Sequence, residues 1–311
     1  MKLAVKNNFG EEKAVLIENN QIIGLFIRRE ERLNLNDEID GIIQKYDSVL
    51  KGYFVETQKK QSVFVRCDRI WPEGTRVCVK ITKEARRGKD ANGVFIESKQ
   101  DVCSLTQQLK NEFSTELLNA WDTDFDEAFE EVLNPIVQLN NGVILHIERT
   151  QTCWTIDVDS GNCTDSAYNL NAYIIPHIAR QIQLRHLGGL ILIDFIGAKH
   201  KKEQNNLMNL LIKELKSDSL SEILGWTRGK LFEIKRTRTY APLADVFLDS
   251  QNNPLPLTTI YQICDMVKSY KSVPTVTVHP NIANALREKL SNRIHLKTDM
   301  GLSPYQFDIK E

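Results

Sequence analysis

The sequence predicts a mixed α/β protein with a small β-barrel inserted near its front and a small α/β unit at its end. Three observations carry this. Short β-patterned runs separated by turn residues fill the span 41–98, the density of a small closed barrel. From Asn141 onward strand-like and helix-like segments alternate, the rhythm of a partly parallel sheet with helical crossovers. Within that part, two aliphatic runs at 155–160 and 188–196 are each broken by aspartate.

The elements follow in order. Residues 1–35 alternate apolar and polar, with turn signals at Asn7-Asn8-Phe9-Gly10 and Glu18-Asn19-Asn20, and read as a β-meander. A linker is expected at 33–40. The barrel, 36–98, takes strands from the runs 48–56, 62–67, 75–82 and 93–97. The connector 99–140 is helical in pattern and acidic through Asp122, Asp124, Asp126, Glu127, Glu130 and Glu131. Neighbours along a helix do not converge on one ion, so this cluster reads as a solvated face. The α/β domain, 141–248, is expected to run strand 143–147, strand 154–158, helix 174–187, strand 190–196, helix 203–216 and strand 230–235. A proline-containing linker at 248–256 leads into the last unit, 249–311, with helices at 258–270 and 281–290 and strands at 275–279 and 294–297.

Composition bounds the function. Of 311 residues, 40 are basic and 41 acidic, so only local clustering could favour a nucleic-acid partner. No apolar run approaches the ~18 residues that span a bilayer, and Met1-Lys2-Leu3-Ala4-Val5-Lys6 lacks the apolar core of a secretion signal. The six cysteines (Cys67, Cys78, Cys103, Cys153, Cys163, Cys264) form no Cys-x-x-Cys pair. That pattern predicts reduced thiols in the cytoplasm.

The chemistry concentrates on aspartates. Runs this apolar look buried on both faces, where an unpaired carboxylate costs several kcal/mol or more. Asp157 and Asp194 therefore either meet a cation or sit at strand ends facing a polar cleft. Hard oxygen donors suit Mg²⁺ or Mn²⁺. Asp159 leaves the same strand face as Asp157. The alternative is that Asp159 caps the turn into Ser160-Gly161 while Asp194 pairs with a lysine or arginine. Asn169 and Asn171 precede a helix and read as cap residues or as ligands of a metal-bound water or phosphate. Arg228, Lys230, Lys235, Arg236 and Arg238 form a basic stretch in which Arg236 and Arg238 share a strand face. Such a row either neutralises phosphates or protects an edge strand. In the barrel, Phe54 and Phe64 with the loop Arg86-Arg87-Gly88-Lys89 read as core residues and a solvated turn, or as a surface that stacks bases and holds phosphates.

Taken together, Ile156-Asp157-Val158-Asp159-Ser160, Asn169-Leu170-Asn171, the stretch 179–196 ending in Leu190-Ile191-Leu192-Ile193-Asp194-Phe195-Ile196, the stretch 228–238 and Val278-His279-Pro280-Asn281-Ile282-Ala283 resemble the bacterial ribonuclease E/G endoribonucleases. The resemblance implies a nuclease-like catalytic α/β domain to which the 1–35 meander contributes an RNase H-like part, an S1-type barrel, and a small domain able to mediate a homodimer. It implies Mg²⁺ (Mn²⁺ as substitute) on Asp157 and Asp194, with Asp159 standing where the family usually has asparagine and Gly197 where a third aspartate is common. Asn169 and Asn171 assist catalysis. Single-stranded RNA is held by Phe54, Phe64, Arg86 and Lys89 on the barrel and by Arg228, Arg236 and Arg238. Cleavage of ribosomal or messenger precursors would leave 5′-phosphate and 3′-hydroxyl ends. Most of the family's pocket for a 5′-monophosphate has no counterpart between Ser98 and Asp126, and 238–254 lacks the zinc-sharing cysteines. Neither zinc nor sensitivity to the RNA 5′ end is expected. The competing expectation is a binding scaffold or RNA maturation factor; a nuclease for single-stranded DNA is a third.

Overall fold

Strand-forming alternation governs the first third of the chain. In the computed structural model, which describes residues 1–99, 104–118, 125–198 and 200–311, it yields β1 (Lys2–Asn8), β2 (Glu11–Glu18) and β3 (Gln21–Arg29). Five more strands follow: β4 (Glu38–Asp47), β5 (Gly52–Thr57), β6 (Ser62–Arg66), β7 (Arg76–Lys83) and β8 (Ala91–Ile96). These five close into a barrel in the order β4-β5-β6-β8-β7. Their inward residues Ile43, Val55, Val63, Val65, Val79 and Ile81 are fully buried. β4 begins inside the segment expected as a linker, because the inward alternation starts at Ile39. Gly93 lets two strands close on each other: a Cβ there would lie 2.4 Å from Val79 Cγ1.

The expected acidic helix is two helices, α1 (Leu105–Phe113) and α2 (Phe125–Leu133), with the short β9 (Glu116–Leu117) between them. Asp122 and Asp124 of the acidic run lie outside the described residues, as does Cys103. β9 joins the first sheet, ordered β3-β2-β1-β9, in parallel with β1.

Two units divide the chain: Met1–Val15 with Phe26–Ala120 and Leu243–Glu311, and Leu16–Leu25 with Trp121–Pro242. The second holds a six-stranded sheet and two long helices. In chain order these are β10 (Ile136–Gln138), β11 (Ile144–Arg149), β12 (Cys153–Asp159), α3 (Ala167–Leu184), β13 (Gly189–Asp194), α4 (Lys201–Glu214), β14 (Ser221–Trp226) and β15 (Phe232–Arg236). The sheet order is β10-β11-β12-β13-β15-β14, and only β12 and β13 are parallel. β10 and β14 were not expected. Both are edge strands with half-exposed, mixed patterns, and Gly225 interrupts β14 with a register shift.

One face of this sheet carries the core. Ile156, Val158, Ile191, Ile193, Phe232 and Ile234 pack with Ile174, Ile178 and Ile182 of α3 and with Leu207 and Leu211 of α4. The expectation of a sheet buried on both faces is therefore corrected. The opposite side of β12 and β13 presents half-buried Thr155 and Leu192 and exposed Asp157, Asp159 and Asp194. Their carboxylates sit in water and need no buried counter-charge. A buried imidazole, His186, places Nε2 2.6 Å from the Leu25 carbonyl, and burial pushes its pKa down to about 4.

In the first unit the last residues form α5 (Leu243–Phe247), α6 (Pro256–Val267), β16 (Thr275–Val278), α7 (Pro280–Leu290), β17 (His295–Thr298) and β18 (Phe307–Lys310). Sheet β17-β16-β18 includes one strand more than expected. The supposed linker at 248–256 is ordered by Leu248 pairing with Pro254. Arg29 also fastens this region. It donates to Glu11 Oε1 at 2.7 Å, to the Val246 carbonyl at 3.0 Å and to Thr258 Oγ1 at 3.2 Å. Its guanidinium also lies 4.8 Å from the Phe247 ring centre and 5.1 Å from that of Tyr261. No helix among the described residues is long and apolar enough to cross a membrane.

Candidate active site

The parallel pairing of β12 and β13 fixes the central geometry. Asp157 and Asp194 are register partners, so their side chains leave the same face of adjacent strands, about 4.8 Å apart. Asp159 follows two residues along the same face, and all three are exposed. On the other side of Asp157, its partner on β11 is half-buried His146. A row of His146, Asp157 and Asp194 thus crosses three strands. Sequence reading did not single out His146, because only the antiparallel register brings it to the aspartate.

Among the described residues no group of three or more His, Cys, Asp or Glu side chains is gathered closely enough to hold a metal ion. Two hard carboxylates on neighbouring strands, open to solvent on one side, nevertheless fit Mg²⁺, which keeps several waters and takes only one or two protein carboxylates. Asp159 has a further role at the turn. Its Oδ1 accepts from Gly161 N at 2.9 Å, the capping alternative of the sequence reading. Gly161, at φ +52°, lies where a Cβ would stand 2.2 Å from the Gly142 carbonyl.

The two asparagines separate. Ser166, not either asparagine, caps α3, accepting from Asn169 N at 3.3 Å. Asn169 is exposed in the first turn. Asn171 is 1 % exposed. Its Nδ2 donates to the Ile196 carbonyl at 2.7 Å, and Ile196 N donates to its Oδ1 at 3.1 Å. That pair of bonds holds the backbone just past Asp194. The expectation that Asn171 meets a metal-bound water is corrected: it is buried in a clamp on the strand end.

The basic stretch also divides. β15 runs antiparallel to β13, with Phe232 opposite Ile193 and Arg236 opposite Gly189. The turn carrying Arg228 and Lys230 is therefore at the aspartate end of the sheet. Arg236 and Arg238 are at the far end, roughly 15 Å away along the strand. Arg236 is buried. It donates through Nε to Asp218 Oδ2 at 2.7 Å and through Nη1 to the Leu187 carbonyl at 3.1 Å. Burial tends to raise the Asp218 pKa, but the Arg236 hydrogen bonds and charge overcome this and hold it below the ordinary carboxylate value. The expected alignment of Arg236 and Arg238 on one ligand fails, because Arg236 points into the core. Arg238 donates through Nε to the Gly188 carbonyl at 3.1 Å. It fills the space left by Gly189, where φ is +100° and a Cβ would strike the guanidinium.

On the barrel, Phe54 and Phe64 are partners across β5 and β6, half-buried on the outer surface, with ring centres 5.3 Å apart. Lys45 Nζ lies 5.0 Å from the Phe54 ring centre. Across the strands the row continues from Phe64 to Asn92 and on to Lys83. Arg86 and Lys89 pair through backbone bonds around a tight turn at Arg87-Gly88. Arg87 instead faces its own unit, donating to the carbonyls of Leu248 at 3.2 Å and Asp249 at 2.7 Å. Lys89 is exposed. Lys45, Lys83 and Asn92 escaped sequence reading, since only strand pairing lines them up with the phenylalanines.

The model of the ribonuclease E/G family matches residues 26–239. The chain belongs to the ribonuclease E/G family. Ribonuclease G of Haemophilus influenzae is 33% identical over 131 residues, covering 40% of this chain and 27% of that protein. Ribonuclease G of Escherichia coli strain K12 is 31% identical over 123 residues, 37% of this chain and 25% of that protein. Ribonuclease E of a Synechocystis strain is 30% identical over 168 residues, 52% of this chain and 23% of that protein. The alignments thus span about a quarter of each relative's length. Among solved structures, a multidomain protein with nucleic acid binding domains from Streptococcus pneumoniae matches at TM-score 0.19 and 11% identity, covering 33% of this chain and 42% of that one.

For this ribonuclease E/G chain, the matched span contains both the barrel row and the aspartate row. Of the sequence-named site residues, the fold gathers Asp157, Asp159, Asp194 and Arg228 at one end of the second-unit sheet. It pairs Phe54 with Phe64 on the barrel wall and Arg86 with Lys89 at the 86–89 turn, and sends Arg236 and Asn171 into the interior.

Proposed function

We propose that this protein is a metal-dependent endoribonuclease that cuts single-stranded RNA, leaving 5′-phosphate and 3′-hydroxyl ends. The observation that carries the reading is the register of Asp157 with Asp194 on an open sheet face. Membership of the ribonuclease E/G family supports it. Asp157 and Asp194 would hold Mg²⁺ or Mn²⁺, which when bound polarises the scissile phosphate and lowers the pKa of the attacking water. Asp159 supplies a third negative charge on the same face while bracing the 159–161 turn. Asn171 keeps the strand end beyond Asp194 in place. Arg228 neutralises an RNA phosphate near the cut, and Phe54, Phe64 and Lys89 hold bases and backbone on the barrel. A cytoplasmic setting, ribosomal or messenger precursors as substrates, indifference to the RNA 5′ end and a homodimer without zinc belong to the same reading.

The test is cleavage of a labelled single-stranded RNA with Mg²⁺ or with EDTA, by wild type and by Asp194→Asn. Loss of one metal-binding carboxylate should slow cleavage by at least about 10²-fold, some 2.7 kcal/mol of transition-state stabilisation. Metal-independent cutting, or an Asp194→Asn variant as fast as wild type, would sink the reading. Binding without cutting in Mg²⁺ and Mn²⁺ alike would instead assign a scaffold or maturation factor.

A further inference from the structure

Four exposed cations gather at the aspartate end of the second-unit sheet, from two segments distant in sequence. Arg228 and Lys230 lie in the turn between β14 and β15, closed by Thr227 N donating to the Leu231 carbonyl at 2.8 Å and Lys230 N to the Thr227 carbonyl at 3.1 Å. Lys201 and Lys202 open α4, which follows Asp194 after a short loop. A direct bond joins these segments: Trp226 Nε1 donates to the Gln204 carbonyl at 3.0 Å. Gln204 Nε2 in turn donates to the Ala198 carbonyl at 2.8 Å, drawing the loop after Asp194 into the same place. Trp226 packs on Phe195 and Phe232, with ring centres 5.6 and 5.2 Å away, so the junction is stiff.

All four cationic side chains are exposed. Among the described residues none of them has a carboxylate partner. The contrast with the rest of the second unit is informative. Lys235 pairs with Glu222 at 3.1 Å, and Arg236 with Asp218 at 2.7 Å. In a chain whose net charge is −1, an uncompensated group of four positive charges is a local anion-binding surface. It lies at the same end of the sheet as the exposed carboxylates Asp157, Asp159 and Asp194. A free anion would be repelled by those carboxylates. A polyanion whose charges repeat along a chain can place one phosphate against the acidic row and its neighbours against the cations.

We propose that Lys201, Lys202 and Lys230, together with Arg228, form a phosphate-binding rim that holds the RNA backbone on the segment flanking the scissile phosphate. The inference rests on the reading of single-stranded RNA as ligand; it adds Lys201 and Lys202, which the sequence pattern did not single out, and joins them to Lys230 of the basic stretch. Lysine at these positions acts as a point charge on phosphate, so the rim adds affinity without sequence preference.

The experiment uses the full chain and a fluorescent single-stranded oligoribonucleotide in EDTA, with Kd measured by anisotropy over a range of KCl. Each phosphate contact on a single strand contributes about 0.7 to the slope of log K against log[salt]. The Lys201→Ala/Lys202→Ala/Lys230→Ala variant should therefore lose about 2 from that slope. Replacing the same three by arginine should restore it, and Lys213→Ala/Lys216→Ala at the other end of α4 should leave it unchanged. A triple alanine variant with the wild-type slope overturns the rim, as does a wild type that binds no RNA. Each single alanine variant, expected to lose about 0.7, repeats the test should the triple variant melt early. Wild-type cleavage with Mg²⁺ is scored separately. Cutting with an unchanged slope defeats the rim alone, whereas a reduced slope without cutting defeats the nuclease reading and leaves the rim standing.

Discussion

Replacing Arg236 by methionine should destabilise the second unit strongly and leave RNA affinity almost untouched. The guanidinium and the Asp218 carboxylate are only 8% and 7% exposed, and their closest contact is 2.7 Å. Methionine keeps the length and apolar stem but strips Asp218 of its counter-charge and the Leu187 carbonyl of its donor. Removing one partner of a buried ion pair costs about 3–5 kcal/mol, because the other charge stays buried and uncompensated. For a unit of about 130 residues, each kcal/mol lowers Tm by about 4 °C, so a fall of roughly 12–20 °C is expected. The pH dependence sharpens the test. In wild type, Asp218 sits below its ordinary pKa, so its contribution is present above that value and lost as pH falls through the lowered one. In the variant the hydrogen bonds and charge of Arg236 are gone, so burial is opposed only by the Ser221 hydroxyl and the Leu220 amide, and the Asp218 pKa rises from its wild-type value. The deficit should then narrow on acidification as the lone carboxyl takes up a proton. Thermal melts at pH 7 and pH 5, with anisotropy titrations against KCl, decide the matter. A variant that melts within about 3 °C of wild type but loses about 0.7 of salt slope would refute the argument and return Arg236 to the RNA surface.

Asn171→Ala leaves the buried amide and carbonyl of Ile196 without partners and should cost about 2–4 kcal/mol. Loosening the strand end that bears Asp194 should also lower kcat roughly tenfold or more; an unchanged melt would show that the clamp contributes nothing. Phe54→Ala or Phe64→Ala removes one ring of the outer-surface pair and should weaken RNA binding by about 1–3 kcal/mol, with little change in melting. Equal Kd values for both variants and wild type would argue against a base platform there. His186 is neutral in the fold well below the pH at which the unfolded chain protonates it. Its contribution is therefore complete above about pH 6.5 and shrinks as pH falls toward 4, with about 2 kcal/mol gone by pH 5. Urea titrations at pH 7 and pH 5 should show that loss in wild type and a smaller one in His186→Gln; identical losses would rule the imidazole out as the source.

How far the chain could be read without a structure varies with the range of the interaction. The meander, the barrel and the alternation of strands and helices after Asn141 were legible because each rests on local periodicity and turn residues. Three edge strands were not: β10 and β14 are half-exposed and mixed in pattern, β14 is also broken by Gly225, and the alternation of β18 spans only four residues. The same divide runs through the site. Asp157 and Asp194 stand out in sequence because a carboxylate in an aliphatic run is costly unless something faces it. The burial of the sheet on both faces was misjudged, since a strand with helices on one face can be as aliphatic as one covered on both.

Sequence alone fixed which side chains carry charge, which lie on alternating faces and which family the motifs resemble, because those follow from residue identity and spacing of a few positions. Tertiary structure decided the partners. Arg236 and Arg238 are two residues apart, yet Arg236 closes β15 sealed against Asp218, while Arg238 lies beyond the strand, folded over Gly188 and Gly189. Asn171 turned inward, His146 came level with Asp157, and Trp226 at the end of β14 was tied to the Gln204 carbonyl of α4. Each of these outcomes depends on strand register or helix packing between segments tens of residues apart. Such contacts are selected by the burial of the whole apolar face, and no local stretch of the chain contains that information.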